Sequence, residues 1–202
     1  MARAEAVRTT GRLAGISNLL IAAAAILALG GVVLPLGSGS SSPSAAAYAG
    51  HAIGQPDRLV VPSLHIKASV STIEIGPDGT LSPPADVDTV GWWKRSAPAG
   101  ARRGQVLITG HTVHVGDGAM DHIGQVKRGA QVRVDSGRKS VLYRVTKKMV
   151  LSKAQVDHRA NQLFGQGHGD GQLVLVTCTD WNGSGYDSNV IVLAAPVRSL
   201  TR

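Results

Sequence analysis

One thiol and one imidazole stand where this sequence makes chemistry easiest to build. Cys178 is the only cysteine among 202 residues, and it closes the apolar run Leu173-Val-Leu-Val-Thr-Cys178. His111 closes a second run, Val106-Leu-Ile-Thr-Gly-His111. A thiol of ordinary pKa, about 8.5, is mostly protonated at neutral pH, and a neighbouring imidazole favours the nucleophilic thiolate. A Cys–His pair is thus the minimum for acyl transfer: one group forms a thioester, the other moves the proton. The alternative for a lone thiol is a small buried hydrophobe, and residue types alone leave both readings open.

Other reactive types lie nearby. His111, His114 and His122 suggest a zinc site, but their spacing fits no common template and a second cysteine is lacking. No metal or cofactor is therefore assigned. His114 is placed at the mouth of a groove, and is the alternative imidazole should His111 not serve. Trp181 follows Cys178 by three residues in Thr179-Asp-Trp-Asn-Gly-Ser-Gly185 and is expected to shape the groove wall from a loop. Asp180 is read as a turn residue. Trp92-Trp93 is read as core.

Positioning these groups requires rigid elements. Val, Ile and Gly are abundant and aromatics make up only 3% of the chain, so the core must be aliphatic. Strand patterns cover Arg58-Leu-Val-Val-Pro62, Ile66–Ile75, Val90–Trp93, Gln105–Thr109, Gln131–Val134, Val141–Val145, Gln172–Thr177 and Asn189–Leu193. Gly76-Pro-Asp-Gly79 signals a turn, and Gly137 a hairpin. A short helix is predicted over Ala119–Val126. About eight short strands with few helices predict an all-β barrel or sandwich.

Residues before this domain divide into three parts. Residues 1–12 form a basic flank with Arg3, Arg8 and Arg12. Residues 13–36 contain the uncharged run Leu19–Leu36, long enough to span a bilayer. Residues 37–56 are rich in Ser, Ala and Gly and read as a flexible tether. The positive flank predicts a cytoplasmic N-terminus and a single-pass anchor in the cell membrane, with domain 57–202 outside. A cleavable signal peptide is the competing reading, although the apolar run exceeds the usual length. Net charge is +8, but basic residues are spread and no aromatic-interleaved basic run exists. Nucleic-acid binding is not indicated.

Several motifs together resemble the sortase family, most closely the short actinobacterial sortases of class F. They are Arg58-Leu-Val-Val-Pro62, Thr89-Val-Gly-Trp-Trp93, Leu107-Ile-Thr-Gly-His-Thr-Val-His114, Leu175-Val-Thr-Cys-Thr179 and Asn189-Val-Ile-Val192. The resemblance spans about Arg58 to Val197. It implies an eight-stranded sortase-type β-barrel and a cysteine transpeptidase. Such an enzyme would cleave an LPXTG-like motif near the C-terminus of exported proteins and pass the acyl group to a cell-wall or protein amine. It implies Cys178 as nucleophile and His111 as general acid and then base. The family's arginine, expected between a tyrosine and Asn189, is replaced here: the segment reads Tyr186-Asp187-Ser188-Asn189. Arg144, Thr177, Thr179 and Asn189 are candidates to support the substrate or oxyanion instead. The substitution at Asp187 also motivates a peptide-binding protein without turnover, and a plain cysteine hydrolase is a third reading.

Overall fold

The computed structural model describes residues 48–201. The basic flank, the apolar segment and tether residues 37–47 lie outside the described residues. Among the described residues, no helix is long and apolar enough to cross a membrane.

Eight strands form: β1 (Arg58–Val61), β2 (Ile66–Ile73), β3 (Thr89–Trp93), β4 (Gly104–Thr109), β5 (Gln131–Ser136), β6 (Lys139–Ser152), β7 (Asp170–Trp181) and β8 (Tyr186–Thr201). They close into a barrel in the order β1-β2-β3-β4-β7-β8-β6-β5, with β5 pairing back to β1. Closure leaves no long unpaired edge. The pairs β2–β3 and β4–β7 are parallel. The expected eight-stranded barrel is what the chain forms.

Strand alternation builds two apolar layers. The inward residues include Leu59, Val106, Ile108, Leu173, Leu175, Val190 and Val192. The outward residues Leu107, Val174, Ile191 and Leu151 form a second cluster. Two short helices, α1 (Lys153–His158) and α2 (Ala160–Phe164), cover that outer face with Val156, Leu163 and Phe164. Burial of each large aliphatic side chain stabilises by about 1.5–3 kcal/mol. β4 is buried along its whole length because it has apolar neighbours on both faces.

Sequence patterns and structure part in four places. The helix expected over Ala119–Val126 is only one 3-10 turn at Ile123–Gln125, whose central Gly124 is a poor helix former. Helices α1 and α2 were not predicted. The signal for α1 was present as the capping box Ser152-Lys-Ala-Gln155, in which each side chain bonds the other's backbone N–H. β6 is far longer than Val141–Val145, and two irregularities let it bend around the barrel. Residues 48–56, expected to belong to the tether, lie against the barrel: Ile53 N–H donates to the Ala99 carbonyl at 2.8 Å, and the Tyr48 hydroxyl meets that of Ser199 at 2.8 Å.

Candidate active site

The parallel β4–β7 register fixes the site. Thr109 stands opposite Val176. Beyond that pair, Gly110 N–H donates to the Val176 carbonyl at 3.2 Å, so the ladder continues past the end of β4. Two residues beyond each member of the Thr109–Val176 pair come His111, just past the end of β4, and Cys178, within β7. Cys178 belongs to the outward-facing series after Val174 and Val176 on β7, and the same alternation carried two residues past Thr109 reaches His111. The thiol and imidazole therefore share one face of the barrel wall. Each is half-buried.

Thr177 locks this arrangement from the other face. Its hydroxyl donates to the Gly110 carbonyl at 2.8 Å and contacts the Thr112 hydroxyl at 2.8 Å. Those two residues flank His111. Thr177 is only 2% exposed, which puts its hydroxyl out of a substrate's reach. It was a candidate for oxyanion or substrate support. Alternation instead turns it inward with Leu173 and Leu175, where it bonds the residues on either side of His111.

The imidazole has a second anchor. His111 Nε2 lies 2.8 Å from the Pro84 carbonyl oxygen. A carbonyl only accepts, so Nε2 carries the proton and neutral His111 keeps Nδ1 as its free acceptor. Pro84 belongs to the long β2–β3 connection, whose Leu81 packs on the outer cluster. No local sequence signal links Pro84 to His111; the contact arises only when that connection folds over the barrel.

Around the sulfur, Asn189 is directly opposite Cys178 on β8. Its Nδ2 donates to the Thr177 carbonyl at 3.3 Å and approaches Cys178 Sγ at 3.9 Å. Burial pushes the Cys178 thiol above its ordinary pKa, and the charge of Lys153 pulls it back down. The Tyr186 hydroxyl is shielded from solvent without a hydrogen-bond partner. Burial raises its pKa, with the charges of Asp121 and Cys178 adding to the effect.

Cys178 lies in β7 and the anchored His111 just past the end of its parallel neighbour β4, and the sortase domain model matches residues 59–197. The chain belongs to the sortase family. Sortases are cysteine transpeptidases, so the chain is an enzyme of that kind. Solved sortases share the fold. Sortase E1 from Streptomyces coelicolor, solved with a tripeptide in the active site, has 21% identity and a TM-score of 0.57, over 75% of this chain and 94% of that one. Sortase A from Listeria monocytogenes has 14% identity and a TM-score of 0.56, over 75% and 90%. Sortase C-1 from Actinomyces oris has 21% identity and a TM-score of 0.53, over 69% and 72%. No curated protein matches the chain.

Within this sortase barrel the remaining candidates separate. His114 stacks on Trp181 with ring centroids 4.7 Å apart, and Trp181 meets Tyr186 edge-on at 5.1 Å. This trio is an aromatic cluster at the end of the β7–β8 pair, and its Tyr186 is near enough to feel the charge of Cys178. Trp181 ends β7 rather than sitting in a loop, because the Asn182 side chain closes a tight turn by accepting from Ser184 and Gly185 N–H groups. Asp180, read as a turn residue, is in β7 but adopts a left-handed φ of 62° beside that turn. Thr179 pairs with Ser188 and falls on the opposite face from Cys178. Arg144 does not join the site. It pairs with Ala195 and Gln131 and bonds the Gly129 carbonyl. Leu151 is the β6 residue level with Asn189, and Arg144 is seven residues below it, about 23 Å along the strand. Asp187, at the expected arginine position, accepts a 2.7 Å bond from Asn182 Nδ2. Among the described residues, no cluster of metal-ligating side chains occurs.

Proposed function

We propose that this sortase cleaves an LPXTG-like motif near the C-terminus of exported proteins through a thioester on Cys178. The placement of Cys178 and His111 on one face of the barrel carries this reading. The Cys178 thiolate attacks the scissile carbonyl carbon, forming the S–C bond. The C–N bond then breaks while protonated His111 gives its proton to the leaving amine. An incoming amine from the cell wall or a protein attacks the thioester carbon, His111 takes its proton, and the C–S bond breaks to release the Cys178 thiolate. Asn189 is positioned to donate a hydrogen bond beside the sulfur, and the His114–Trp181–Tyr186 cluster borders the peptide's path. Residues 13–36 anchor the enzyme in the cell membrane, and the barrel works on the extracytoplasmic side.

The test uses the soluble domain, residues 48–202, with a panel of LPXTG-like peptides and intact-mass spectrometry. Wild-type protein should carry an acyl adduct that Cys178→Ala lacks, and His111→Ala should slow cleavage by about 10²–10⁴. Added amines should divert the product from acid to amide, which separates transpeptidase from hydrolase. Peptide binding without adduct or cleavage across the panel would overturn the reading.

A further inference from the structure

Thioester formation places negative charge twice, first on sulfur and then on the former carbonyl oxygen. The charged and titratable groups around Cys178 come from every adjoining element. His111 lies at the end of β4, with Asp180 on β7, Tyr186 and Asp187 on β8, Asp121 in the connection after β4, and Lys153 at the start of α1. Asp121 is engaged by the N–H groups of Val113 and Gly118, and Asp187 by Asn182. The arginines of neighbouring strands are remote: Arg144 bonds Gly129, and Arg198 pairs with Leu142 near the opposite end of the barrel.

Lys153 is different. The row Cys178–Asn189–Leu151 crosses β7, β8 and β6 at one level, and Lys153 is two residues beyond Leu151. Helix α1, which it opens, packs on β6 and β8, and its Val156 joins the same outer cluster that leads to Cys178. Two strand spacings, about 10 Å, separate Cys178 from β6, and a lysine side chain spans much of that distance. Lys153 is exposed and forms no ion pair among the described residues. We infer that Lys153 supplies the fixed positive charge of this active site, alongside the proton-carrying His111, stabilising the Cys178 thiolate and the oxyanion that follows its attack. This rests on the transpeptidase reading above, with Lys153 in the role for which Asp187 has the wrong sign. The charge that lowers the thiol's pKa against burial is that of Lys153, which agrees with the placement.

The decisive measurement is the pH dependence of Cys178 alkylation by iodoacetamide, which needs no peptide substrate. In Lys153→Met the midpoint should rise by about half a unit at low salt. Lys153→Arg should keep the wild-type midpoint, and 1 M salt should shrink the difference because an exposed charge is screened. With a cleaved peptide, Lys153→Met should also lose about tenfold in kcat with KM little changed. An unchanged midpoint in Lys153→Met, or a shift that Lys153→Arg fails to rescue, would overturn the assignment. Absence of peptide cleavage in wild type, with the midpoint shift intact, would instead count against the transpeptidase reading alone.

Discussion

At the scale of residues, the proposed catalytic pair is held by a side chain buried inside the barrel. Thr177 holds the residues on both sides of His111 from inside the barrel. Thr177→Val keeps the shape and deletes the hydroxyl, leaving the Gly110 carbonyl and Thr112 hydroxyl with one partner fewer. Chemical denaturation should show a loss of about 1–3 kcal/mol. The kcat for peptide cleavage should fall while KM holds, because His111 loses its register with Cys178 and the groove is untouched. The residue types at 111 and 178 were legible from sequence, since each ends an apolar strand pattern. The anchors were not. Pro84 is 27 positions from His111, and only chain folding brings its carbonyl to Nε2.

At the scale of elements, β4 and β7 form a rigid parallel pair that delivers both groups to one face. Gly110 is the hinge of this delivery. A Cβ there would lie 2.4 Å from Met120 Cγ and 2.9 Å from Val90 Cγ1, both fully buried. Gly110→Ala should therefore destabilise by about 1–3 kcal/mol and displace His111. Thermal melting should fall while slow residual alkylation of Cys178 persists, because β7 keeps its own pairing with β8. The strand patterns predicted β4 almost to its ends, because it is buried on both faces and reads as continuous apolar sequence. They underestimated β6, β7 and β8. The parts beyond the apolar runs carry polar residues such as Lys147, Lys148, Ser188 and Arg198, and are held as strand by pairing with neighbouring strands rather than by alternation.

At the scale of the whole molecule, barrel closure couples the site to distant parts of the chain. Tyr143, fully buried on β6, accepts the Gly100 N–H at 2.9 Å and so ties the β3–β4 connection to the far wall. Burial raises its pKa far above the ordinary value of 10.0. The folded state thus keeps a proton that the unfolded chain releases, and stability should be full below pH 10 and fall as pH rises beyond it. Tyr143→Phe should remove that alkaline limb in denaturation curves while costing about 1 kcal/mol at neutral pH for the unpaired Gly100 N–H. The amino-acid sequence by itself determined the all-β class, the eight strands and the identities of Cys178 and His111. Those follow from local alternation, turn chemistry and motif, which are written in neighbouring residues. Tertiary structure decided which groups serve them. It turned Thr177 inward, left Arg144 about 23 Å down β6, and opened α1 with Lys153 two residues beyond Leu151, the β6 residue level with Asn189 and Cys178. Strand order and barrel closure set those distances, and neither is encoded in any single stretch of chain.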